Sequence, residues 1–233
     1  MPRLLVHVEG QTEESFVNEI LTDHLTRIGY GNVGARLLGN PRLRSRRGGI
    51  RDWQVVKSDI LRHLKQDHGA IATTMVDYYA LPNNWPGRNQ SKTFPSSNEK
   101  AQHVEAAISA DICQELGSGF DPRRFVPLVM MHEFEALLFS EPMQFASSIG
   151  REDLKAPFSE IRQSFVSPED INDSATTAPS KRVSELFPGY QKPLFGIIAA
   201  LDIGLARMRD QCPHFGSWLD LLEGLPKVCS YLE

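Results

Sequence analysis

Three separated segments of this 233-residue chain each place a carboxylate directly after an aliphatic run. Glu9 follows Leu4-Leu5-Val6-His7-Val8, Asp77 follows Ala70 to Val76, and His132-Glu133-Phe134-Glu135 follows Phe125 to Met131. A short apolar run halted by an acid or a turn residue is the pattern of a buried strand. In an open parallel sheet the functional crevice lies at the carboxyl ends of the strands. Carboxylates gathered there repel one another unless a cation neutralises them. Oxygen-only donors select a hard ion, Mg²⁺ or Mn²⁺, over zinc. Such an ion polarises a phosphoryl oxygen and activates water. Glu9 and Asp77, with Glu133 or Glu135, are therefore the candidate metal ligands. A lone acid at a strand end is more often a cap or a solvated charge, so the inference rests on three ends coinciding. Glu133 and Glu135 diverge if extended and approach if helical, which leaves open which of them faces the site.

A second constellation is basic. Arg42, Arg44, Arg46, Arg47 and Arg51 fall within ten residues around Gly48-Gly49. A solvated charge run and a clamp on polynucleotide phosphates both fit it; such a clamp positions the substrate without reading its sequence. Tyr78, Tyr79 and Trp85, just after Asp77, either stack on unpaired bases or pack a long loop. Lys181, in Ser180-Lys181-Arg182, is a candidate to reach a scissile phosphate, with surface charge as the alternative. Cys212-Pro213-His214 reads as a helix start packed by Phe215 and Trp218 rather than a metal pair.

The elements that must position these residues alternate. Residues 4–29 read as strand, tight turn and helix, with Thr12 as cap, Glu13 and Glu14 favoured by the helix dipole, and Gly29 at the carboxyl end. A second strand over 33–38, a polar arginine-rich loop, a helix from Asp52 carrying Trp53, Val56, Ile60 and Leu64, and a strand over 70–76 follow. Residues 78–98 read as loop, broken by Pro82 and Pro86. A helix marked by Val104, Ile108, Ile112 and Leu116, a strand over 125–131 and a strand-to-helix passage at 132–139 complete the series. This β-α alternation predicts a mostly parallel sheet flanked by helices. The expected division is an α/β domain over 1–140 and a helical extension packed on it over 141–233.

Composition bounds the class. Hydrophobic residues make 41% and charged residues 23%, an ordinary globular balance. No apolar run approaches the roughly 18 residues needed to span a bilayer, and the early acid at Glu9 is unlike a secretory signal. Three scattered cysteines form neither a disulfide framework nor a zinc pattern. A cytoplasmic protein is the expectation. The net charge of −4 does not announce a nucleic-acid binder, although residues 1–66 hold eleven Lys/Arg against seven Asp/Glu.

Several segments resemble the family catalogued as domain of unknown function 4276. They are Val8-Glu9-Gly10-Gln11-Thr12-Glu13-Glu14-Ser15-Phe16-Val17, Thr73 to Pro82 around Asp77, Met131 to Phe139, Ala178-Pro179-Ser180-Lys181-Arg182 with Ile171-Asn172-Asp173, and Cys212-Pro213-His214-Phe215 with Trp218-Leu219. That family in turn resembles Toprim domains, including those of the overcoming-lysogenization-defect nucleases. Toprim sites use a Glu after the first strand and a D-x-D pair after the third. Glu9 and Asp77 match the first two positions, whereas Tyr79 stands where the second Asp belongs. The resemblance implies Mg²⁺ or Mn²⁺, a DNA or RNA substrate, Lys181 as the counterpart of a downstream lysine, and a role in phage defence beside an ATPase of the ABC or SMC-like class. The chain has no G-x-x-x-x-G-K-[ST] motif, so that ATPase is a separate polypeptide. The expectation is a Toprim-like, metal-dependent nuclease, with homo-oligomerisation left open. The alternative is a degenerate regulatory or binding subunit, which Tyr79 favours.

Overall fold

The computed structural model describes residues 1–38, 50–171 and 178–229. Arg42, Arg44, Arg46 and Arg47 lie outside the described residues, as do Asn172 and Asp173. The chain forms two compact units, residues 1–129 with 220–233, and residues 130–219.

The first unit is built on a four-stranded parallel sheet in the order β2-β1-β3-β4. Strand β1 (Arg3–Val8) lies between β2 (Asn32–Leu37) and β3 (Ala70–Asp77), with Arg3 opposite both Asn32 and Ala70. The first seven residues of β3 are buried, as a strand covered on both faces requires. Helical cover comes from α1 (Gln11–Phe16) and α2 (Thr22–Ile28), from α3 (Trp53–Gln66) and from α5 (Ser97–Leu116). Their apolar stripes, Phe16, Leu21 and Leu25, then Val56, Ile60 and Leu64, then Val104, Ile108 and Ile112, are all buried.

Four local details differ from the sequence expectation, each for a physical reason. The cap of α1 is Gly10, in extended conformation, rather than Thr12; the helix starts as soon as the chain leaves β1. A π-helical turn (Val17–Leu21) joins α1 to α2, and the Thr22 hydroxyl donates to the Val17 carbonyl at 2.9 Å. Strand β4 spans only Leu128–Met130. Pro127 has no N–H for the ladder, so Phe125 makes an isolated bridge to Ala72, and the Thr74 hydroxyl donates to the Leu128 carbonyl at 3.0 Å. The stretch expected as loop after Asp77 holds a short helix, α4 (Arg88–Ser91), and α5 begins early because Ser96 and Glu99 form a capping box.

The second unit is helical, as expected of the region after 140. It contains α6 (Glu135–Leu138), α7 (Pro142–Ser148), α8 (Lys155–Gln163), α9 (Pro179–Leu186), α10 (Lys192–Ile203), α11 (Leu205–Gln211) and the start of α12 (Pro213–Cys229). Its core centres on Phe139, Phe145 and Phe158, with ring centroids 4.9–5.5 Å apart. Among the described residues, no helix is long and apolar enough to cross a membrane.

Candidate functional site

In the first unit, sheet register brings the two leading carboxylates to one edge. Val8, the last residue of β1, pairs with Met75 of β3. Glu9 is the next residue after Val8, and Asp77 lies two past Met75 at the end of β3. Positions sixty-eight apart in sequence thus leave neighbouring parallel strands at the same carboxyl end, the edge where such sheets bind ligands. One carboxylate oxygen of each, Glu9 Oε2 and Asp77 Oδ1, is buried from solvent. The turn between Glu9 and α1 is tight: a Cβ on Gly10 would meet Glu13 Oε2 at 2.8 Å, so the buried Glu13 side chain folds back over the turn.

Beyond Asp77 the chain makes a 3₁₀ turn (Tyr78–Ala80). Tyr78 is buried and its hydroxyl is 2.8 Å from Ser91 Oγ. Tyr79, at the position expected for a second acid, is 52% exposed and meets the Tyr78 ring edge to face at 5.3 Å. Trp85 is core, its ring 4.9 Å from that of Trp53 and its Nε1 donating to the Arg51 carbonyl at 3.0 Å. Of the expected aromatics, only Tyr79 has a surface to offer a base. Inside β1, His7 is fully buried, and among the described residues neither ring nitrogen has a hydrogen bond. Burial, then the charges of His63 and Arg36, push its pKa down to about 3, so it is neutral.

The second unit holds Glu133 and Glu135, and here charge does the positioning. Lys192 Nζ donates to Glu133 Oε1 at 3.2 Å and to Glu135 Oε2 at 3.1 Å. Glu133 Oε2 also accepts the Ser180 backbone N–H at 2.8 Å, so it caps the first turn of α9. The two glutamates titrate in opposite directions. Burial works to raise Glu133, but Lys192 and the Ser180 hydrogen bonds outweigh it and hold the carboxyl below its ordinary value. Glu135 is 1% exposed, and burial, opposed by Lys192 and reinforced by Glu133, pushes it up to about 7. Its Oε1 and the hydroxyl of Tyr190 are buried without a hydrogen-bond partner among the described residues. Burial, then Glu135 and Glu133, push that hydroxyl's pKa upward.

Lys181 lies in the first turn of α9 with an exposed side chain, next to the residue whose N–H serves Glu133. His132 is buried. Cys212-Pro213-His214 is a helix start, as its pattern indicated. Glu169 accepts the His214 and Phe215 N–H groups at 2.9 and 2.8 Å, and Phe215 and Trp218 are buried. Within either unit, among the described residues, no three His, Cys, Asp or Glu side chains gather as a metal-binding group.

Lys192 is the residue the sequence reasoning missed. A signal existed, because a lysine in the first turn of a helix opposes the helix dipole. In Gln191-Lys192-Pro193 it opens α10, and a nearby acid is what makes such a placement favourable.

A parallel α/β sheet with carboxylates at neighbouring strand ends defines a broad class. The chain belongs to the family described as Domain of unknown function (DUF4276), whose model matches residues 8–223, nearly its whole length. No curated protein and no solved structure matches the chain.

Proposed function

We propose that the protein is a Mg²⁺- or Mn²⁺-dependent phosphodiesterase acting on DNA or RNA, with Glu9 and Asp77 as its metal ligands. The observation that carries the proposal is the exit of both residues from the same end of adjacent parallel strands. The donor set fits a hard cation. Mg²⁺ is commonly held by one or two carboxylates, its remaining positions filled by water and substrate phosphate. Two acids therefore suffice without a third protein ligand. When bound, the ion supplies polarisation of a phosphoryl oxygen and a water activated for in-line attack. Glu9 and Asp77 hold charge at the sheet edge, Tyr79 offers an exposed ring for an unpaired base, and Arg51 stands for the basic loop before it. Resemblance to Toprim nucleases supports the same chemistry, gives Lys181 a role at the substrate phosphate, and points to a phage-defence effector working with a separate ATPase.

A test is incubation with plasmid DNA, single-stranded DNA and RNA under each metal, alone and with a co-expressed partner ATPase. Strand cutting is expected, reduced more than about 100-fold in Glu9→Ala and Asp77→Ala. Intact substrate under every condition, or equal cutting by both variants, refutes the proposal.

Two observations favour a second reading. Glu133 and Glu135 already share an internal cation, Lys192, and Tyr79 replaces an acid. A regulatory subunit whose metal chemistry has decayed predicts folded protein that binds neither metal.

A further inference from the structure

Arg88 is 7% exposed, in the short helix α4. Its guanidinium lies over the Tyr78 ring, 4.0 Å from the centroid. Nε and Nη1 are buried, and among the described residues neither has a hydrogen-bond partner. An arginine stays protonated in a protein, and buried charges are normally paired and hydrogen-bonded. The cation–π contact stabilises one face of the group, yet leaves the in-plane N–H donors unspent.

The surroundings hold this side chain in place. Ser91 Oγ is 2.8 Å from the Tyr78 hydroxyl and donates to the Arg88 carbonyl at 2.9 Å. Gly87, which precedes Arg88, has φ +76°, and a Cβ there would stand 2.9 Å from Ala107 Cβ and 3.1 Å from the His103 carbonyl. Only glycine permits that approach of α4 to α5. Between Asp77 and Glu99 the sequence carries Arg88 and Lys92 and no acid, and among the described residues Arg88 makes no ion pair. Lys92 lies four residues on, the helical spacing that puts two side chains on one face. Its Nζ donates to the neutral Asn83 Oδ1 and Asn89 Oδ1, each at 3.0 Å.

We propose that Arg88, with Lys92 four residues on, forms an oxyanion site for a phosphate group. Two cations on a stretch that itself carries no acid match a phosphate better than a singly charged carboxylate, and the planar guanidinium suits phosphate oxygens. The segment begins directly after Asp77, so the site belongs to the loop that leaves the functional edge of the sheet. It stands apart from the metal proposal, because a phosphate can dock on Arg88 whether or not Glu9 and Asp77 hold an ion.

The test is NMR of the full chain labelled with ¹⁵N-arginine, without divalent metal and at constant ionic strength. The Arg88 Nε–H signal is identified by its contact with the Tyr78 ring. Inorganic phosphate, a single-stranded oligonucleotide and acetate are titrated separately. A saturating shift with phosphate or oligonucleotide, and none with acetate, is expected; whichever probe saturates first distinguishes free phosphate from a backbone phosphodiester. A parallel melting series expects phosphate to raise the midpoint of the unaltered protein and not that of Arg88→Gln. No shift with either phosphate probe, an equal shift with acetate, or an equal rise in melting midpoint for Arg88→Gln overturns the site.

Discussion

The two units treat a positive charge in opposite ways. In the first, Arg88 is a nearly buried cation that makes no ion pair among the described residues, stacked on Tyr78. In the second, Lys192 is 43% exposed at its side chain and serves two carboxylates, one of them almost wholly buried. Ion-pairing needs are therefore met internally at Glu133 and Glu135, whereas the loop after β3 keeps cationic donors in reserve. The same contrast separates the carboxylates. Glu9 and Asp77 are brought near by the register of two strands, a placement independent of their charge. Glu133 and Glu135 are neighbours in the chain, and a lysine fixes them. Proximity of two acids does not by itself make a metal site, because a protein ammonium competes for the same oxygens.

The hardest blow to this contrast is removal of the lysine. Lys192→Met leaves two partly buried carboxylates without their cation and is expected to cost about 3 kcal/mol at pH 8, seen as a lower denaturation midpoint. Adding Glu133→Gln and Glu135→Gln restores most of it. A single Lys192→Met variant as stable as the parent would show that the cluster is only a surface ion pair.

Glu135→Gln sharpens the sign. The unfolded chain releases the Glu135 proton near the ordinary 4.5, while the folded chain keeps it up to about 7. Stability therefore falls as pH rises through that window, and the penalty is complete above it. Relative to the parent, the glutamine variant gains about 2–3 kcal/mol between pH 4.5 and 8. Glu133 has the opposite sign: its depressed pKa gives stability present above pH 4.5 and lost as pH falls through the folded value. Denaturant titrations at several pH values that gave both glutamates the same slope would contradict this.

An effect of similar size is expected in the first unit. His7 stays neutral down to about pH 3 in the fold but protonates near 6.5 when unfolded. Its contribution is present above 6.5 and lost progressively as pH falls toward 3. His7→Leu is expected to flatten that acid limb by about 3 kcal/mol between pH 6.5 and 4. An uncharged reference completes the series. Ser96→Ala breaks the cap of α5 and should cost about 1 kcal/mol with no pH dependence near neutrality.

Much of the first unit was legible because burial on both faces writes itself as unbroken aliphatic sequence. Leu4 to Val8 and Ala70 to Val76 could be little else, and their acidic ends located the candidate ligands. The four-residue steps of α5 and the stripe of α3 were equally plain. Other features were visible yet passed over. Ser96 and Glu99 have capping-box spacing, and Pro127 forbids a full-length β4. The pairing of Lys192 with Glu133 and Glu135 spans more than fifty residues, and only folding brings such groups together. Its faint trace was a lysine opening a helix. That Arg88 is buried without an ion pair among the described residues leaves no trace at all, since an arginine in a polar loop ordinarily reaches water.

The central claim is that Glu9 and Asp77 hold the metal. Calorimetric titration of Mn²⁺ into the parent, Glu9→Ala, Asp77→Ala and the Glu133→Gln/Glu135→Gln double variant tests it most directly, with circular dichroism checking that each is folded. Binding in the parent and the double variant, abolished in Glu9→Ala and Asp77→Ala, is the expected result. Binding that survives both alanine substitutions, or that disappears only when Glu133 and Glu135 are changed, would place the metal elsewhere and contradict the account.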